Sequence, residues 1–193
     1  HATFTSSNFC MRILLLGSGG REHALARKLI QSPHCESLFI APGNPGTAQC
    51  GTNVAMSLTD FESIASFCLD HQIHQLVVGP EEPLVKGIYN YFAETPSLSH
   101  IQVIGPSKEA AQLEGSKAFA KRFMQDHGIP TAAYRSFNAT NFNEGINYLS
   151  QHALPIVLKA DGLAAGKGVV ICQTHEEAQS EFKAMIQEQK FGD

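Results

Sequence analysis

Four short segments carry residues able to do chemistry. Gly17-Ser18-Gly19-Gly20 lies between an apolar run and a helical pattern and is followed by Arg21. Glycines at such a turn let backbone N–H groups and a helix N-terminus approach an anion. The dinucleotide fingerprint G-x-G-x-x-G is not completed, because Glu22 holds its third glycine position. The next apolar run also ends in Phe39-Ile40-Ala41-Pro42, with no acid to hold a ribose. NAD and FAD are therefore disfavoured, and a packing turn without a ligand competes with an anion site. Pro42-Gly43-Asn44-Pro45-Gly46-Thr47, with two Pro and two Gly in six residues, reads as a stiff loop. Gly79-Pro80-Glu81-Glu82-Pro83 sets carboxylates on another loop, where an acid suits a ligand ammonium and a solvated turn is the bland alternative. Gly162-Leu163-Ala164-Ala165-Gly166-Lys167-Gly168 is not a P-loop: one residue is missing between the glycines, and Gly168 stands where a Ser or Thr hydroxyl would hold magnesium. It reads instead as a hairpin tip with one cation, able to close over nucleotide phosphates, with Lys159 on the preceding strand. A flexible hairpin with a solvated lysine is its bland counterpart.

The elements that must position these segments alternate between buried strands and amphipathic helices, which predicts an open, largely parallel α/β sheet. Strands are expected over 12–16, 37–41, 75–78 and 101–104. Helices are expected over 21–31, over 59–70 with Thr59 as N-cap and Glu62 completing a capping box, and from the 79–85 loop to about Phe92. Loops at the carboxyl edge of such a sheet are where ligands sit. Beyond Ala110 the pattern predicts one basic helix over 114–127 and a strand over 132–137. A helix over 141–152, strands over 155–160 and 169–172 and a helix over 176–189 complete it. The domain boundary falls near 107–115, giving an α/β domain over 11–112 and the beginning of a second domain over 113–193. Residues 1–10 are Ser/Thr-rich and aperiodic and read as a tag or extension.

Composition narrows the class. The 193 residues are 43% hydrophobic and 17% charged with net charge −4, which excludes disorder and argues against a nucleic-acid or anionic-membrane surface. No apolar stretch approaches the ~20 residues of a membrane helix. Five scattered cysteines without a C-x-x-C pair fit a reducing cytosol and neither a disulfide framework nor a zinc site. No metal role is assigned to the nine histidines; His23, beside the glycine turn, reads as a packing or capping residue. No Ser/His or Cys/His constellation is evident.

Taken in order, Gly17-Ser18-Gly19-Gly20-Arg21-Glu22-His23-Ala24, Pro42 to Thr47, Gly79-Pro80-Glu81-Glu82-Pro83-Leu84-Val85 and Lys159-Ala160-Asp161 through Gly168 closely resemble the phosphoribosylamine–glycine ligase family, the glycinamide ribonucleotide synthetases of the ATP-grasp superfamily. The resemblance runs from Met11 to Asp193. It implies a Rossmann-like substrate domain followed by the start of an ATP-grasp domain, and ATP-driven joining of glycine to 5-phosphoribosylamine in purine biosynthesis. It further implies that Gly17, Gly19, Gly20, Arg21, Asn44, Pro45, Gly46, Thr47, Gly79, Pro80 and Glu81 line the substrate side. Lys117 and Lys159 would touch ATP phosphates, with Gly166, Lys167 and Gly168 in a flap over them. Magnesium ligands are expected beyond Asp193, so the 193 residues alone are expected to be inactive and to expose a sheet edge after 169–172. Two alternatives stay open: a non-catalytic nucleotide- or phosphate-binding module, and another ATP-grasp ligase or carboxylase.

Overall fold

The structure, a computed structural model, describes residues 10–161 and 168–188. The chain divides into two compact units, His1–Ala111 and Gln112–Asp193.

The first unit is built on a central strand, β1 (Met11–Gly17), whose residues Ile13 to Leu16 are at most 2% exposed. A continuous apolar run of this kind fits only a strand covered on both faces. After α1 (Gly20–Leu29) come β2 (Cys35–Pro42), the two-residue β3 (Thr52–Asn53), α2 (Phe61–Asp70), β4 (Gln75–Val78), α3 (Glu81–Lys86), α4 (Ile88–Glu94) and β5 (Gln102–Ile104). The sheet order is β3-β2-β1-β4-β5, and every neighbouring pair is parallel. Period-two alternation sends Ile13 and Leu15 to a cluster with Ala26, Leu38 and Ile40. Leu14 and Leu16 go to the opposite cluster with Ile64, Leu76, Ile88 and Phe92.

Local chemistry shifts two boundaries from those the sequence predicts. Asp60, not Thr59, caps α2. Its carboxylate accepts the Ser63 N–H at 3.1 Å and the Ser63 hydroxyl at 2.6 Å, two donors that one carboxylate serves together. The 79–85 segment is mostly helix: α3 begins at Glu81, and Pro83 lies in its first turn, where no N–H is needed. Gly87, at φ +95, separates α3 from α4.

In the second unit, α5 (Lys108–Gly115), which spans the division, is followed by α6 (Lys117–Asp126), α7 (Phe142–Gln151), β6 (Ile156–Lys159), β7 (Val169–Cys172) and α8 (His175–Gln187). Strands β6 and β7 form an antiparallel pair. Leu149, Ile156, Cys172, Ala178 and Phe182 form its core with Phe137 and Phe142 around them. The single helix predicted over 114–127 is two. Ser116 is extended, and its hydroxyl accepts the Phe119 N–H at 3.1 Å, so α6 starts afresh there. No strand forms over 132–137. The Lys121 ammonium instead donates to the Thr131 hydroxyl and the Ala132 carbonyl, taking an acceptor that a ladder would need. No described helix is long and apolar enough to cross a membrane.

Candidate functional site

Because the first sheet is parallel, the segments leaving β1, β2 and β4 emerge at one edge. Gly17, Gly19, Gly20, Arg21, Asn44, Pro45, Gly46, Thr47, Gly79, Pro80 and Glu81 all lie there. Side chains tie the three segments together. The Asn44 amide donates to the Ser18 carbonyl at 2.8 Å, joining the first two, and its Oδ1 accepts the N–H groups of Gly46 (2.7 Å) and Thr47 (2.9 Å). Thr47 is fully buried. Its hydroxyl accepts the Asn44 N–H at 2.7 Å and donates to Asn53 Oδ1 at 2.8 Å, while the Asn53 amide donates to the Asn44 carbonyl at 2.8 Å. The polar groups of Asn44 and Thr47 thus hold the loop in shape, and Asn53, which nothing in the sequence singled out, completes the ring. His23 packs on this loop: a Cβ at Gly46 would come within 2.5 Å of its ring.

Arg21 and Glu81 join the starts of α1 and α3 through a 2.9 Å ion pair. The Arg21 hydrogen bond holds the Glu81 carboxyl below the ordinary range, helped by the backbone N–H of Glu81 itself and by the Arg21 charge. Glu81 therefore meets any ligand already paired with a cation.

Glu22, the residue that breaks the dinucleotide fingerprint, is 4% exposed and reaches back to accept the Gly19 N–H at 2.7 Å through Oε2. Its side chain fills the space beside three glycines. A Cβ at Gly17 would collide with it, one at Gly19 would lie 2.9 Å from Oε2, and one at Gly79 would lie 2.5 Å from Oε1. The glycine spacing at Gly17 and Gly79 thus accommodates Glu22. By contrast, nothing lies within 4 Å of where a Cβ of Gly20 would be. The signal in the sequence was an acid three residues after the helix cap, the capping-box spacing.

In the second unit, Lys117 opens α6 and Lys159 closes β6. Asp161 connects them: its carboxylate accepts the Ser116 hydroxyl at 3.0 Å and the N–H groups of Lys117 (2.5 Å) and Ala118 (3.3 Å). Gly168 is buried, and its carbonyl accepts the Ala160 N–H at 2.7 Å, closing the base of the hairpin. Gly166 and Lys167 lie outside the described residues. Among the described residues no group of three or more His, Cys, Asp or Glu could hold a metal ion.

Two family models match consecutive stretches of the chain from residue 11 onward. The phosphoribosylglycinamide synthetase N domain matches residues 11–114, and the ATP-grasp (A) domain of the same family matches residues 115–193. The chain belongs to the phosphoribosylglycinamide synthetase family. Within it, the chain is 48% identical over 185 residues to the phosphoribosylamine–glycine ligase of Pasteurella multocida and 47% identical to that of Escherichia coli K12. Each match takes in 95% of this chain and 42% of the relative, so the chain spans less than half the length of these curated relatives. The crystal structure of the Thermotoga maritima phosphoribosylamine–glycine ligase superposes with a TM-score of 0.67 at 34% identity, over 92% of this chain and 40% of that one. The N5-carboxyaminoimidazole synthase of Aspergillus clavatus, at 17% identity and a TM-score of 0.70, shares the fold. The phosphoribosylglycinamide synthetase fold here is thus a parallel-sheet α/β unit followed by ATP-grasp structure.

Proposed function

We propose that this chain carries the substrate side and part of the nucleotide side of an ATP-dependent carbon–nitrogen ligase. That enzyme joins glycine to 5-phosphoribosylamine, yielding glycinamide ribonucleotide, ADP and phosphate, in purine biosynthesis. The observation that carries the reading is the consecutive match of both family domains over residues 11–193. The substrate domain is assigned to residues 11–112 and the start of the ATP-grasp domain to 113–193.

Glycine's carboxylate is a poor acyl donor. In the proposed reaction it attacks the γ-phosphorus of ATP, forming glycyl phosphate and releasing ADP. The amine nitrogen of phosphoribosylamine then attacks the acyl carbon, an amide bond forms and phosphate leaves. Neither step needs a covalent bond to the protein, so positioning and charge neutralisation carry the catalysis. The Gly17–Gly20 turn, Arg21, the 44–47 loop and Gly79 to Glu81 are assigned to the substrate. Glycine at Gly20, unexplained by packing, supports close approach of a ligand there. Lys117, whose backbone N–H bonds to Asp161, and Lys159, two residues before Asp161, are assigned to the ATP phosphates with Gly166, Lys167 and Gly168. No group of three or more His, Cys, Asp or Glu among the described residues could hold a metal ion, and this reading assigns Mg2+ ligands to the part of the relatives' length that the chain does not span. Five free cysteines fit a cytosolic enzyme with small-molecule partners.

The test is a product assay on a chain of the relatives' full length carrying these residues. ADP release that requires both glycine and phosphoribosylamine is expected. ADP release indifferent to glycine overturns the reading.

A further inference from the structure

Glu22 is the one buried charged side chain among the described residues. Its two oxygens have different fates. Oε2 takes the Gly19 N–H, whereas Oε1 is buried with no hydrogen-bond partner among the described residues. A buried carboxylate oxygen without a donor is costly, and native structures keep one where something else uses it. Helix capping does not explain it, because glutamine at the same position serves the cap N–H equally well. The place is specific: Oε1 lies next to Gly79 and the other side-chain atoms next to Gly17, at the carboxyl ends of β4 and β1. The other acid that points to a ligand amine, Glu81, is engaged by Arg21 at 2.9 Å. Glu22 thus holds a buried carboxylate oxygen at this edge that no described group uses.

We propose that Glu22 is a substrate-binding residue whose Oε1 accepts a hydrogen bond from the amine of a small substrate, directly or through one ordered water. The inference rests on the ligase reading above. Glycine and phosphoribosylamine both bring an amine, and the kinetics tell them apart.

The experiment compares full-length enzyme with its Glu22→Gln and Glu22→Asp variants. Glutamine keeps an acceptor for the Gly19 N–H and turns the Oε1 position into a donor, so it cannot accept from an amine. A charge-assisted bond lost in this way raises the KM of the substrate concerned on the order of tenfold or more. The KM for ATP and the melting temperature stay near wild type. A rise confined to glycine assigns the contact to the glycine amine, and a rise confined to phosphoribosylamine assigns it to the sugar amine. Aspartate, one methylene shorter, withdraws the acceptor and raises the same KM, which keeps the test open if the glutamine variant does not fold. Wild-type KM values for both amines in a folded variant overturn the proposal, as does a fall in melting temperature without a KM change. Wild-type enzyme without glycine-dependent ADP release overturns the ligase reading and this inference with it.

Discussion

Neighbouring glycines in the Gly17–Gly20 turn answer to different constraints. Gly17 has φ +128 and faces the Glu22 side chain, so an added methyl meets both backbone strain and a collision. Gly20 opens α1 with open space around it, and alanine there improves helix propensity. Gly17→Ala is accordingly expected to destabilise the chain by about 2 kcal/mol or more, and Gly20→Ala to change stability by less than about 1 kcal/mol. Urea unfolding of the two variants checks both values. In the full-length enzyme Gly20→Ala is nonetheless expected to raise the KM for phosphoribosylamine, because its methyl group stands where close approach is assigned. Equal destabilisation by both substitutions would remove the distinction. The glycines themselves were legible from their place between strand and helix. The partner that fixes Gly79 was not, because Glu22 lies 57 positions earlier in the chain and meets it only once β1 and β4 pair.

Elements follow the same division between local and distant causes. Strands β4 and β7 match the predicted 75–78 and 169–172, since runs of Leu, Val and Ile favour the extended chain locally. The two-residue β3 carries no apolar signal, and both its residues are exposed. The start of α6 was missed because Gly115 and Ser116 only weaken a helix by about 1 kcal/mol, too little to mark a break by propensity. What decides it is Asp161, forty-five positions beyond Ser116, accepting three donors at the first turn of α6. Asp161 also joins the backbone of Lys117 to the end of the strand that carries Lys159. Asp161→Ala should cost about 1–2 kcal/mol in urea unfolding, the scale of a lost helix cap. In the full-length enzyme it should weaken ATP binding on the order of tenfold by calorimetry, the equivalent of one hydrogen bond of positioning. Asp161→Asn, which retains an acceptor, should fall between. Unchanged ATP affinity in Asp161→Ala would show that the connection supports the fold without serving the nucleotide.

At the scale of the whole chain, the two units differ in how their sheets are covered. β1 is buried on both faces, between the two apolar clusters of the first unit. The β6–β7 pair closes only one face: Ile156 and Cys172 are buried in the core of the second unit, while Val157, Val169 and Ile171 are 48%, 45% and 57% exposed. Val157 and Ile171 stand directly opposite each other, so the exposed residues make a continuous apolar strip on a ribbon that, among the described residues, has two strands and no further strand paired to its edges. Such a strip favours pairing with another apolar surface or strand edge. The exposed edge expected after 169–172 is joined by this exposed face, and curated relatives run to more than twice this length. The 193-residue chain is therefore expected to self-associate, with a sedimentation coefficient that rises with concentration. Ile171→Lys puts a charge in the strip without touching the core, and it should return the chain to a monomer while shifting stability by no more than about 0.5 kcal/mol. Association that persists in Ile171→Lys would place the contact elsewhere, and a wild-type chain that stays monomeric at high concentration would show that the strip alone does not drive assembly.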